Sequence, residues 1–472
     1  NNPSENRIIN YPIGFNLNSK DIDNELKKWG ISFDNEEIKY YKKLFNKLNR
    51  NPTFTEIYDI CQSNSEHSRH WFFKGNLYKS RIKLLNSLFS MIKKTNNSLT
   101  NSLVSFSDNS SVIKGFNIFK TLNLDGLITI REGTYDLVFT AETHNFPTLV
   151  YPFEGAATGI GGRIRDNHAT GRGAYLTAGT AGYMIGELNT KKIGDYPEPK
   201  KILIEASNGA SDYGNKIGEP IINGFTRSFG MNLGGDRIEY IKPILFTGGV
   251  GYMNHQHIYK KLPKLGMLVV RIGGPVYKIG MGGGFASSIE QGGEFKKFEK
   301  SSVQRGDPQY ENKLNRIITY LCDMNENNPI ISIHDQGAGG LANCVKELVS
   351  PNGAYINLNN VTLGDKSLQA TEIWCSEFQE SDVLLIEEEN IEILNKLCKR
   401  EGVFIDILGK IDDSKEIKVY FNNKLILNLP LKEILEPPLT KKYELSKRYV
   451  YKHFPPNINI YIIPKLVEIV FK

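Results

Sequence analysis

Cysteine is scarce: the 472 residues include only Cys61, Cys322, Cys344, Cys375 and Cys398, and no two form a C-x-x-C pair. This excludes the usual zinc and dithiol spacings and favours a reducing compartment, so a cytoplasmic location is expected. No run approaches the ~18 uninterrupted apolar residues of a membrane span, and Asn1 opens a polar stretch instead of a basic and then apolar leader. A G-x-x-x-x-G-K-[ST] loop is absent, and Gly159-x-Gly161 is followed by Ile164 where a dinucleotide fingerprint needs its third glycine. Charge is also nearly balanced. Fifty-eight Lys and Arg against 52 Asp and Glu leave +6, and pairs such as Lys27-Lys28 and Lys93-Lys94 are scattered. A nucleic-acid surface would gather them in one stripe with interleaved aromatics, whereas a mild excess suits an anionic small molecule.

What the chain does contain is enough apolar material, 40% of residues, to bury more than one core. Its length predicts two or three domains. Because it starts at Asn1 and not Met, it is expected to be a piece or a processed form of something longer. The first hundred residues read as helical. Asp34 with Glu37 and Thr53 with Glu56 form capping-box spacings, and the second helix leads into Ser65-Glu-His67-Ser-Arg-His70. If that helix continues, His67 and His70 share a face. From about residue 105 short apolar runs alternate with glycine-rich turns, the texture of a mixed α/β layer. A second such unit opens at Leu268 after the linker Lys261-Leu-Pro-Lys264.

The segments that could carry chemistry lie in these α/β regions. Glycines at 155, 159, 161 and 162 would free the backbone to turn N–H groups toward an anion, and Asp166 closes that run where a cation ligand would be useful. Glu142 and His144 stand just upstream. Asp335 ends the apolar strand Ile331–Ile333 and is followed by glycines opening a helix, an arrangement that holds Mg²⁺ and phosphate together. Glu142, Asp166 and Asp335 supply the few carboxylates Mg²⁺ wants. Gly280-Met-Gly-Gly-Gly284, Val303–Pro308 and Glu372–Glu380 are weaker signals, and Trp374 and Cys375 read as core.

In order along the chain, Asn64–His70, Glu142–Pro147, Gly155–Asp166, Gly273–Gly284, Ser302–Gln304, His334–Leu341 and Glu372–Cys375 resemble the signatures of the phosphoribosylformylglycinamidine synthase family. The resemblance implies an α/β (α+β) fold: a helical linker (1–104), an aminoimidazole-ribonucleotide-synthetase-like N-terminal half-barrel domain (105–258), a C-terminal α/β domain (259–440), and a connector (441–472) toward a second half. It implies ATP-dependent amidation of formylglycinamide ribonucleotide with ATP and Mg²⁺. Ammonia would come from a glutaminase outside this chain, and a second synthetase half or a homodimer partner would complete the barrel.

Carried over by position, His67 and His144 are catalytic, and Glu142, Asp166 and Asp335 are metal ligands. Nucleotide contacts fall at His70, at Gly155, Ala156, Ala157, Thr158, Gly159, Ile160, Gly161, Gly162, Arg163, Ile164, Arg165 and Asp166, and at Asn223, Gly224 and Phe225. Substrate contacts fall at Thr143, His144, Asn145, Phe146, Arg165, Gln304, Glu377, Phe378 and Gln379. Phe146, Phe378 and Ser381 depart from the family's histidine, serine and arginine. A nucleotide-holding scaffold half, or a sibling synthetase of the same fold, are the other classes the residues allow.

Overall fold

The computed structural model of the chain describes residues 10–96, 101–124, 126–190, 194–288 and 296–445. The connector expected over 441–472 lies outside them beyond residue 445. The chain forms two bodies, one holding the residues up to His70 and Thr95–Leu439, the other Trp71–Lys94 with the chain from Thr440. In the smaller body Asn76–Lys79 pairs parallel with Lys442–Leu445 and antiparallel with Ile82–Lys83.

In the larger body, α1 (Asn35–Lys47) and α2 (Phe54–Ser63) begin at their capping boxes. Asp34 accepts the Glu37 N–H while Glu37 accepts that of Asp34, and Thr53 and Glu56 repeat the exchange. The second helix does not continue to the histidines. It ends at Ser63, a separate turn spans Glu66–Arg69, and His70 takes left-handed backbone with φ 54°. His67 and His70 therefore do not share a continuous helix face.

The first sheet contains β1 (Ser102–Val104), β2 (Ser111–Leu124), β3 (Leu127–Thr143), β4 (Tyr175–Ile185), β5 (Ile221–Ser228) and β6 (Ile244–Asn254) in the order β1-β2-β3-β6-β4-β5. All pairs are antiparallel except β4 with β5. Two helices cover one face, α3 (Pro152–His168) and α4 (Pro199–Ile217). The open glycine run expected over Gly155–Asp166 is thus a helix, a correction with a packing cause. Glycine costs a helix about 1 kcal/mol relative to alanine. The cost is offset because the small residues let α3 lie close against α4, burying Ala156, Ala157, Ile160 and Ile164 against Ala206, Ala210, Tyr213 and Ile217.

The second sheet has seven strands: β7 (Leu268–Gly273), β8 (Ser332–Asp335), β9 (Ala354–Asn357), β10 (Ser381–Ile386), β11 (Phe404–Ile411), β12 (Glu416–Phe421) and β13 (Lys424–Pro430), ordered β8-β10-β7-β11-β9-β12-β13. Every residue of β7 and β10 is buried. Their alternate residues serve two cores. Val270, Leu384 and Ile386 pack on α5 (Pro308–Asp323), while Val269, Val383 and Leu385 join α6 (Leu341–Val349) and the linker residues Tyr41, Phe45 and Ile57. The linker helices are thereby part of the second domain's core.

Candidate active site

Both sheets deliver acids at strand ends. Glu142 and Thr143 end β3, Asp335 ends β8, and α3 brings Arg165 and Asp166 from its last turn. The strand–glycine–helix unit expected around Asp335 forms as read, with α6 beginning at Leu341. These groups line one cavity of about 810 Å³, together with His67, Ser68 and His70 from the linker. Thr143, His144, Thr158, Gly162, Gln304, Glu377 and Gln379 also line it.

His144 is uncharged at neutral pH: burial drives its pKa down to about 4. Its Nδ1 lies 2.5 Å from the Gly155 carbonyl, so Nδ1 carries the hydrogen and Nε2 the lone pair. Gly159 makes this seat possible, since a Cβ there would stand 2.9 Å from the His144 Cβ. Burial, with Lys242 and His70 adding to it, also lowers the pKa of His67.

The carboxylates respond oppositely. Burial and then the charges of Glu142 and Asp335 push Asp166 well up. For Asp335 burial also raises the value, but a hydrogen bond and the charge of His334, helped by Arg165, overcome it and leave the group lowered. His334 is held well above its ordinary value by Asp335, Cys344 and Glu347 against the opposing effect of burial. Arg165 is fully buried among Glu311 at 3.5 Å and Asp335 and Glu380 at 3.9 Å, and donates to Gln379 at 2.8 Å.

The glycine loops do not form empty anion cradles. The Glu377 carboxylate accepts the N–H groups of Gly284 at 2.8 Å and Gly339 at 3.1 Å and the side-chain amide of Gln304. Gly283 has no room for a side chain, because its Cβ would lie 2.5 Å from Glu377 Oε2. Burial raises the pKa of Glu377 to about 7, with the three hydrogen bonds opposing.

Other residues singled out above lie apart from the cavity. Within the glycine-rich helix, Gly155, Ala156, Ala157, Gly159, Ile160, Gly161, Arg163 and Ile164 do not line it, and Arg163 is buried against Glu219. Asn145 accepts the Leu245 N–H at 3.1 Å, Phe146 is buried with Ala286 and Val303, and Phe378 lies beneath Arg271. Asn223, Gly224 and Phe225 occupy the exposed strand β5. Sequence reasoning missed Asp108, Asn109 and Lys260. Asn109 donates to Asp335 at 2.5 Å and to Asp166 at 3.5 Å, and Lys260 pairs with Asp108 at 2.7 Å. The polar run Ser105–Ser111 signals a turn, but nothing in it points to acids more than 50 residues away.

Among the described residues no three His, Cys, Asp or Glu side chains form a ready metal site. Carboxylates that line the cavity are nevertheless the hard oxygen donors Mg²⁺ takes, one or two at a time, with phosphate oxygens and water completing its shell. Asp166, crowded by two other carboxylates, is the group such a cation would relieve.

Three family models match the chain: "Formylglycinamide ribonucleotide amidotransferase linker domain" over residues 22–70, "AIR synthase related protein, N-terminal domain" over 124–253, and "AIR synthase related protein, C-terminal domain" over 264–422. Fold and site thus define an AIR-synthase-related protein carrying its own linker. The solved Thermotoga maritima PurL complexed with FGAR shares this fold, with TM-score 0.63 and 21% identity over 88% of this chain and 58% of that one. The T. maritima PurL complexed with ATP gives 0.61 and 23%, covering 87% and 57%.

Phosphoribosylformylglycinamidine synthase of Dictyostelium discoideum is 46% identical over 93% of this chain and 34% of its own length. The Homo sapiens enzyme is 47% identical over 82% and 30%. The chain belongs to the phosphoribosylformylglycinamidine synthase family, and it spans about a third of the length of the curated relatives it matches.

Proposed function

We propose that this chain supplies one ATP-dependent site for amidating formylglycinamide ribonucleotide in purine biosynthesis. The observation that carries the reading is the single cavity in which Glu142, Asp166 and Asp335 meet His67, His144, Arg165 and Gln304, drawn from the linker and both α/β domains. The relatives' names give the reaction, and the T. maritima structures bound to FGAR and to ATP support the two ligands.

In this reading the amide oxygen of the substrate takes the terminal phosphoryl group of ATP, breaking its bond to ADP. Ammonia then adds to the activated carbon, phosphate leaves with that oxygen, and the surplus proton passes to a base. The neutral imidazole of His144, with its lone pair on Nε2, has the chemistry to accept it. Glu142, Asp166 and Asp335 would hold Mg²⁺, which when bound neutralises phosphate charge. Arg165, buried and charged, holds Gln379 and Asp335 in place. His67 and His70 close the cavity from the linker side.

Ammonia comes from a glutaminase elsewhere; a T. maritima PurLQS assembly has been solved. The five buried free thiols suit a reducing compartment. Among the described residues no helix is long and apolar enough to cross a membrane.

A calorimetric titration with ATP at millimolar Mg²⁺ should show binding that Asp335→Asn weakens about tenfold or more, the loss of one charge-assisted contact. Equal binding with and without metal removes the metal assignment. Phosphate release should require both formylglycinamide ribonucleotide and ammonia, and glutamine should not replace ammonia. Nucleotide binding without release would favour the scaffold reading.

A further inference from the structure

One fully buried ion pair joins the linker to the rest of the larger body among the described residues, and the chemistry above does not use it. Asp59, on the middle of α2, pairs with Lys346 on α6, and both side chains are completely buried. Ser63, the last residue of α2, accepts from Lys346 at 2.6 Å and donates to Asp59 at 3.0 Å. The second Asp59 oxygen accepts the indole N–H of Trp374 at 2.9 Å, from α7 (Ala370–Cys375).

The energetics argue against a purely stabilising purpose. A buried ion pair is often no better for stability than an apolar pair of similar size, because desolvating two charges offsets their attraction. What it does supply is direction: Asp59 has one arrangement that satisfies Lys346, Ser63 and Trp374 together.

Lys346 lies next to cavity residues, and the helix of Asp59 leads toward one. Four residues beyond Ser63 stands His67. On α6, Asn343, Cys344, Glu347 and Leu348 line the cavity, and Glu347 holds His334 at 3.0 Å. The ion pair therefore couples the segment that delivers His67 to the helix that braces the wall beside Asp335.

We propose that Asp59 and Lys346 are positioning residues whose ion pair, completed by Ser63 and Trp374, sets the placement of the His67 turn in the cavity. Its functional weight rests on the role proposed above for His67, but its test does not. The test is made on the full chain, combining thermal unfolding with the His67 ring signals in ¹H–¹³C NMR spectra, assigned by His67→Gln.

Lys346→Met alone strands a buried carboxylate and should lower Tm by on the order of 10 °C. The double variant Asp59→Leu with Lys346→Met should recover most of that loss, yet leave the His67 signals shifted and broadened. A double variant with the parent's His67 signals overturns the proposal, whatever its Tm, because the pair would then be packing alone. Should the double variant fail to fold, Trp374→Phe decides. It keeps an aromatic ring and removes the N–H donor, and should shift the same His67 signals by a smaller amount. Unchanged signals there overturn the proposal equally. Loss of ATP binding in the parent chain would sink the reading of the site while leaving this result standing.

Discussion

The two sheets use similar side chains and end in different surroundings. In the seven-stranded sheet, β7 and β10 are buried at every position because α5 covers one face and α6 with the linker helices covers the other. In the six-stranded sheet, the hairpin of β2 and β3 exposes Phe116, Phe119, Leu127, Ile128 and Ile130, each by about 70%. Strand β5 is almost wholly exposed as well. An exposed apolar surface of this kind marks an interaction face. The difference shows that one sheet is covered by the linker helices, whereas the other, among the described residues, leaves an apolar face open.

Substitutions at three positions test this contrast, and the largest effect belongs to the covered sheet. Leu384→Ala, in the middle of β10 and 1% exposed, should cost about 2–5 kcal/mol in urea unfolding, the lost burial plus the cavity left behind. A cost below about 1 kcal/mol would mean that this core is not the rigid half of the comparison.

Next comes Glu377→Gln, in the cavity wall that the second sheet's domain supplies. Unfolded, this carboxyl titrates near 4.5; folded, near 7. Between those values the folded chain keeps a proton that the unfolded chain has lost, so stability falls as pH rises through that window and is level above it. The drop is about 3 kcal/mol at 1.36 kcal/mol per unit. In the variant, the amide oxygen of the new side chain can still accept from Gly284 and Gly339, and Gln304 can turn its own amide to match. Tm measured at pH 5 and pH 8 should therefore differ less in the variant than in the parent. Parallel profiles would show that Glu377 titrates normally and that the wall is wetter than its burial indicates.

The smallest effect is expected on the bare face. Ile128→Ala, 73% exposed in this chain, should change unfolding free energy by no more than about 0.5 kcal/mol. Ile128→Asp should shift any self-association seen by light scattering toward the monomer. A cost above about 2 kcal/mol for the alanine change would mean that the face is already covered, and the contrast between the sheets would fail.

How much of this was legible beforehand depended on range. The capping boxes at Asp34 and Thr53 act within one helical turn and could be read directly. So could the strand, glycine and helix succession around Asp335, where periodicity and turn residues agree. The glycine-rich run misled because local freedom of the backbone permits a loop and a helix alike. Contact with α4, some 40 residues later, selects the helix. The break at Asn64–Ser65 and the left-handed His70 were likewise invisible to spacing, which would have carried both histidines along one helix.

The sequence by itself determined the capped helix starts at Asp34 and Thr53, the two apolar strand systems and the family's ordered motifs, because hydrogen bonds within a turn and alternation along a strand depend only on near neighbours. Tertiary structure decided which of the marked residues meet. It paired Lys260 with Asp108, set Asn109 beside Asp166 and Asp335 from two other segments, and gave the N–H groups of two glycine loops to Glu377. It also put Phe146 and Phe378 into packing away from the cavity. The physical reason is burial: a polar group removed from water must find a partner wherever the fold supplies one, and that partner is seldom close in sequence.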